Sequence, residues 1–372
     1  MSASRRESGS PYMEWSKLRS HARFDLATSG LSSYPLAKLP FRPGDLEING
    51  ETIYGYAPLQ DRLARKTGAA PDSIVAAAGT SMANHLALAA LVEPGDEVLI
   101  EQPTYELILS TARYLGASIR RFPRPASEGF RLDPGEVARA LTPRTRLVVL
   151  TNLHNPSSVS ASEESLREIG EIAAGVGADV LVDEVYLEAC FGEPPRRSAF
   201  FLGPNFVTTS SLTKGYGLSG LRCGWILARP ELARRMWRIN DLYGATPVHP
   251  GELLSVVALD HLAGVAEHAR AQLGRNRALL DAFLDARRDL DAPRTAFGTT
   301  SFPALAGTRV DDLCRTLREK YDTSVVPGAF FEMPERFRIG IGGETAMVEE
   351  GLRRLGCALD DMAGSAPVTS VP

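Results

Sequence analysis

The sequence predicts an α/β protein: a mostly parallel seven-stranded sheet flanked by helices, joined to a smaller α+β domain. Three observations carry this. From Pro58 onward, short apolar runs alternate with amphipathic stretches, the pattern of repeated strand–helix–strand units. The runs are rich in Val, Ile and Leu and bounded by Gly, Pro or Asp, as strands buried on both faces are. After Leu227 the alternation gives way to long helix, over 251–290 with a break near Gly264, and then to mixed short elements as far as Asp361.

Taken in order, the strands fall at 73–77, 97–100, 118–122, 146–150, 179–182, 206–209 and 222–227. Helices fall between them at 82–92, 105–115, 163–174 and 231–240, the first closed by Glu93-Pro94-Gly95 and the second by Gly116. The chain divides into loose residues 1–12, an N-terminal segment 13–48 packed with the smaller domain, a large domain 49–275, a small domain 276–362 and a loose tail 363–372. No internal repeat is present, which sets solenoids and propellers aside.

The composition is that of a globular protein. The 372 residues suffice for two or three units of roughly 150 residues. With 44% apolar and 23% charged residues, a disordered chain, a collagen-like fibre and a coiled-coil rod are poor readings. Lys plus Arg number 41 against 45 Asp plus Glu, a net −4 that lacks the positive excess needed to bind a nucleic-acid backbone. The four cysteines form no CxxC pair and the six histidines no HExxH spacing, so no metal is expected and a reducing cytoplasm fits best. No signal-peptide pattern and no run of about 18 apolar residues appears, so neither secretion nor membrane insertion is expected.

One segment invites two misleading matches. Residues 215–220 fit GxGxxG and residues 211–214 fit SxxK, yet both motifs require a helix directly afterwards, and the residues after Gly220 read as a strand. The same segment makes better sense as a group. A strand delivers Ser210, Ser211, Thr213 and Lys214 into a glycine-rich turn, and Arg222 returns on the next strand. Hydroxyls and a guanidinium suit a phosphate, and a desolvated amine near positive charge stays partly neutral and can form a Schiff base with an aldehyde. Pyridoxal phosphate combines the two groups.

That cofactor requires further partners. Its pyridine nitrogen needs a carboxylate so that the ring can accept electrons from Cα. Asp183 ends the apolar strand at 179–182, although read alone it is a strand-end cap. Tyr186 can donate to the ring oxygen or be a core aromatic. Asn155, held extended before Pro156, can serve the ring oxygen or a substrate carboxylate, or simply form a turn. Gly79-Thr80-Ser81 precedes a helix, whose N-terminus offers N–H groups and a hydroxyl to a phosphate, or a plain N-cap.

In this order, Gly79-Thr80-Ser81, Pro103-Thr104-Tyr105, the loop 152–156, Asp183-Glu184-Val185-Tyr186, Ser211-Leu212-Thr213-Lys214, Arg222 and Arg338 resemble the motifs of fold-type I PLP-dependent aminotransferases of class I/II, over about residues 45 to 345. The resemblance implies transamination between an α-amino acid and an α-keto acid. Lys214 would hold the cofactor and move the proton from Cα, Asp183 would pair with the pyridinium, Tyr186 and Asn155 would meet the ring oxygen, and Tyr105 would stack on the ring. Thr80, Ser81, Ser211 and Arg222 would hold the phosphate. Arg338 would bind the substrate carboxylate as a fork, with Gly30 presenting its N–H to the same group. A homodimer is implied, with Tyr54 or Tyr56 and Thr246 reaching the neighbour's site. The same machinery serves elimination, decarboxylation, S-adenosylmethionine-type or oxidase chemistry, and the same domain occurs in ligand-sensing regulators; fewer than 50 residues precede the first motif, with no basic helix pair for DNA. Two departures stand out. The loop reads Asn155-Pro156-Ser157-Ser158 where the family commonly has Asn-Pro-Thr-Gly, and residues 29–34 replace the usual Gly-Glu-Pro-Asp.

Overall fold

The computed structural model describes residues 8–51, 53–192 and 196–364. Seven strands form one sheet: β2 (Ile74–Ala78), β3 (Glu97–Gln102), β4 (Ser118–Pro123), β5 (Thr145–Thr151), β6 (Asp179–Asp183), β7 (Phe206–Ser211) and β8 (Cys223–Leu227). Their order is β2-β8-β7-β6-β5-β3-β4, and only β8 runs against its neighbours. Both faces are covered, and the pleat divides the apolar residues cleanly. Ile100, Leu147, Val149 and Leu181 enter one core, while Leu99, Val148, Leu150 and Val182 enter another on the opposite face. That two-sided burial is why the strands read as unbroken apolar runs instead of alternating ones.

The helices follow from local signals. In α6 (Glu163–Ala174) the Ser162 hydroxyl caps the Ser165 N–H, Glu163 and Glu164 occupy the first turn, and Leu166, Ile169 and Ala173 fall on the buried face. α3 (Gly79–Leu91) starts three residues earlier than its apolar pattern indicates, so Thr80 and Ser81 lie inside its first turn. α4 (Glu106–Tyr114) starts just after Tyr105, its N-cap residue. The long helical stretch breaks at His261, between α8 (His249–Asp260) and α9 (Leu262–Asp285), not at Gly264. The His261 imidazole takes up the Val257 carbonyl there, while Gly264 continues the helix with its N–H on the His261 carbonyl.

α9 links two cores. Val265 packs with the sheet, whereas Leu273, Leu280 and Leu284 join a second core with Leu313, Leu317, Ile339 and Leu355. The N-terminal segment reaches this second core through Leu26 and through β1 (Phe24–Asp25), which pairs parallel with Thr323–Ser324. The expectation of loose residues over 1–12 needs correction at its end. Pro11 and Tyr12 open α1 (Pro11–Leu18), capped by Ser10, and Tyr12 is buried against Trp15, Tyr105, Phe330 and Phe331. Residues 1–7 lie outside the described residues. In the tail, Ala363 and Gly364 still belong to α11 (Thr345–Gly364), and 365–372 lie outside the described residues.

Candidate active site

Because β5, β6 and β7 are parallel and β8 runs antiparallel, three strand ends and one strand start share an edge of the sheet, with the N-terminus of α3 beside them. This edge is where open α/β sheets bind ligands. A cavity of about 240 Å³ lies there, lined by Thr80, Ser81, Tyr105, Asn155, Asp183, Tyr186, Ser211, Lys214 and Arg222. All nine were singled out from the sequence. Arg338, on β14 (Phe337–Gly340), is buried at the wall and bonded to two lining residues, Asn155 and Tyr12. Gly30 backs the Lys214 stem, 3.5 Å from a Cβ built on it to Lys214 Cδ. Tyr54 is not in this cavity: it is 57% exposed and its hydroxyl donates to Asp241 at 2.8 Å. Tyr56 packs edge-on to His249, and Thr246 lines a separate apolar cavity.

Lys214 sits in the turn after β7, with Nζ donating to Ser29 Oγ at 3.0 Å. Burial, reinforced by the nearby Arg338 charge, lowers its amine to about 8 against an ordinary 10.5. About a tenth of it is therefore neutral at pH 7, against roughly one part in three thousand for an exposed lysine. Asp183 accepts from Asn84 Nδ2 at 2.7 Å and from the Val185 N–H at 3.0 Å. Burial raises its carboxyl to about 6 despite those donors and the Lys214 charge. Tyr186, raised by burial to about 12, remains a protonated donor near neutrality.

At the end of the cavity beside Arg222, α3 begins with no side chain capping its N–H groups, which leaves them free for an anion. Thr80 donates to Ser211 Oγ at 2.8 Å, tying helix to strand. Arg222 corrects one expectation, since it precedes β8 in the left-handed region at φ 52° instead of lying on the strand. Its Nη2 donates to the Ala78 carbonyl at 2.9 Å, and Gly79, at φ 78°, has no room for a Cβ beside that guanidinium.

Arg338 is fully buried and donates to Asn155 Oδ1 at 3.1 Å, Tyr12 Oη at 2.9 Å and the Ala27 carbonyl at 3.2 Å. Its Nε–H is buried without a partner, and among the described residues no carboxylate pairs with it. A buried guanidinium without an acid is costly unless an anion arrives, so the site suits a carboxylate.

Sequence reasoning missed several groups. Ser29, Asn84 and Tyr12 carry no local signal, for each meets its partner only through folding, over sequence separations of 185, 99 and 326 residues. It also missed the support beneath the Asn155 loop. Glu101 accepts the Thr151 N–H at 2.7 Å and hydroxyl at 2.6 Å, Arg124 meets Glu101 at 2.8 Å, and Thr151 Oγ1 accepts the Asn155 N–H at 2.9 Å. The loop's departure from the usual glycine is accommodated: Ser158 adopts φ 61° and its hydroxyl meets Thr300 at 2.8 Å.

The model of the family Aminotransferase class I and II matches residues 49–355. Capreomycidine synthase of Streptomyces vinaceus is 30% identical over 355 residues, covering 92% of this chain and 91% of that protein. A PLP-dependent aminotransferase from Streptococcus suis superposes with a TM-score of 0.88 at 28% identity, over 94% of this chain and 97% of the other. A PLP-dependent cyclase, OrfR, superposes with a TM-score of 0.85 at 26% identity, over 97% and 99%. The cradle of hydroxyls, free N–H groups and guanidinium, with a buried amine nearby, fits pyridoxal 5′-phosphate, and the chain belongs to the class I and II aminotransferase family as a PLP-dependent enzyme of the transferase class.

Proposed function

We propose that the enzyme moves an amino group between an α-amino acid and an α-keto acid, with Lys214 as the base that takes the Cα proton. The observation that carries this reading is a convergence at one cavity. A buried amine with a lowered pKa, Lys214, a buried carboxylate, Asp183, and a buried guanidinium with no acid of its own, Arg338, meet there. Bound pyridoxal phosphate supplies an aldehyde carbon and a protonated ring that accepts the electron pair left at Cα.

The chain's own residues do the rest. Arg338 and Asn155 fix the substrate carboxylate, with the Gly30 N–H beside them, and so aim the Cα–H bond. Lys214, partly neutral at pH 7, takes the proton and later returns it to a neighbouring carbon. With the cofactor bound, Asp183 would set its negative charge against the ring nitrogen, Tyr186 and Asn155 would meet the ring oxygen, and Tyr105 would stack on the ring. Thr80, Ser81, Ser211 and Arg222 anchor the phosphate.

A second reading has its own support. The relative matching nine-tenths of both chains is named a synthase, and one structural neighbour a cyclase. There the same proton abstraction would precede loss of a β or γ substituent or closure of a ring. Incubating the purified holoenzyme with a panel of amino acids, each with and without a keto acid, separates the two by mass spectrometry. A new keto acid that forms only when an acceptor keto acid is present, with the acceptor becoming its amino acid, is the expected result. Turnover of an amino acid without an acceptor, with release of ammonia or formation of a cyclised product, establishes the second reading, and no turnover of any α-amino acid overturns both.

The protein is further proposed to act as a homodimer in a reducing, cytoplasmic setting. Ile48, Ile53, Tyr54, Leu242, Tyr243 and Val248 are large and exposed, and Cys190, Cys223, Cys314 and Cys357 are unpaired. Among the described residues no helix is long and apolar enough to cross a membrane. Sedimentation of the holoenzyme at twice the chain mass is expected; a monomer at working concentration contradicts it.

A further inference from the structure

Asp183 ends β6 with one oxygen on the Val185 N–H and the other on the amide of Asn84. Asn84 lies inside α3 among Ala83, Leu86, Ala87 and Leu88, a setting where a polar side chain requires a partner. An amide can face either way round. Turned over, Asn84 would place its own oxygen against the carboxylate. Thr209 opposes that arrangement. It stands opposite Asp183 in the register of β6 with β7, and its hydroxyl donates to Asn84 Oδ1 at 2.5 Å. The hydroxyl could also accept, but Asn84 Oδ1 is the acceptor that its proton has here, so turning the amide over would strand that buried proton and set Oδ1 against the carboxylate. Asn84, Thr209 and Asp183 are all buried, so no solvent substitutes for a lost bond.

We propose that Asn84 is a positioning residue: its amide, oriented by Thr209, holds the Asp183 carboxylate ionised and aimed into the cavity, the state required to face a cationic ring nitrogen. This rests on the role given to Asp183 above. The other titratable groups around that carboxylate are Lys214 from the turn after β7, Tyr105 at the start of α4, and Glu184 and Tyr186 in the segment after β6. Burial raises both phenols and Glu184, so near neutrality they bring no positive charge, and Lys214 alone favours the carboxylate by its charge. No arginine or histidine pairs with Asp183 among the described residues. The two N–H donors, with the Lys214 charge, therefore oppose the effect of burial.

The test reads the carboxyl itself. Full-length cofactor-free protein with ¹³C-carboxyl-labelled aspartate is titrated, using Asp183→Asn to assign the signal. In the unsubstituted chain the transition is expected near pH 6. Asn84→Leu is expected to raise it by about one pH unit or more, and Thr209→Val to raise it by less, because the amide is then free to turn. In the holoenzyme, the acid limb of the kcat/KM profile should move in the same direction in Asn84→Leu, while KM for the amino acid changes little. Identical Asp183 transitions in all three proteins overturn the inference. If Asn84→Leu does not fold, Thr209→Val decides by the same titration. Failure of the underlying reading shows separately, as unchanged turnover in Asp183→Asn holoenzyme.

Discussion

Lys214→Ala is expected to lower turnover of the preferred amino acid by at least about 10⁴-fold, the upper range of what a positioned acid–base group contributes, because the covalent anchor is lost as well. The fold should survive, since the amine makes one hydrogen bond, to Ser29. Borohydride reduction of the cofactor-saturated parent should add the cofactor's mass to the peptide bearing residue 214, and the variant should take up none there. The unsubstituted amine supplies a pH signature. Lowering of a lysine's pKa means that the reactive neutral form appears at lower pH. Competitive acetylation of the cofactor-free protein should thus reach half its maximum at Lys214 near pH 8, while exposed lysines require values above 10. Acetylation of Lys214 in step with the surface lysines, or a variant retaining a tenth of the activity, removes it from the centre of the mechanism.

The second large effect is on stability. Glu101 and Arg124 form an ion pair with both side chains at 0% exposure. Burial pushes the Glu101 carboxyl up and the Arg124 guanidinium down, each opposed by the other's charge. Glu101→Leu leaves Arg124 charged and unpaired inside the protein, and is expected to cost about 3–5 kcal/mol in urea unfolding. The double variant Glu101→Leu/Arg124→Met should recover the part of that loss owed to the unpaired Arg124 charge, while the buried Thr151 donors stay without Glu101. A single variant as stable as the parent, or a double variant no better than the single, contradicts this account. Because Glu101 also accepts both Thr151 donors, and Thr151 accepts the Asn155 N–H, the single variant should raise KM for the amino acid as well.

Much of the sheet was legible because its two-sided burial writes Val, Ile and Leu into unbroken runs, as in the strand holding Val148 and Val149. Residues at strand ends were legible where a chemistry-bearing side chain such as Asp183 interrupts an apolar run, and Ser211 because it belongs to the hydroxyl-rich segment leading to Lys214. What stayed hidden depends on distant segments meeting. Tyr12 lies in a segment that reads as a loose end, and only the fold brings its hydroxyl to Arg338. Asn84 is one polar residue in an apolar helix, and its meaning comes from Thr209 and Asp183 on two strands. Arg124, in Phe122-Pro123-Arg124-Pro125, has the look of a solvated turn residue, yet it is among the most deeply buried side chains of the protein.

The helix that opens the described chain contributes Tyr12, Met13 and Ser16 to the cavity wall, while Lys214, Asp183 and the phosphate cradle hang from the sheet edge. The opening helix thus supplies part of the cavity's outline and, through Tyr12, also reaches the guanidinium of Arg338. A change in that helix would therefore be felt twice, in the room beside the sheet edge and in the hold on a buried positive charge.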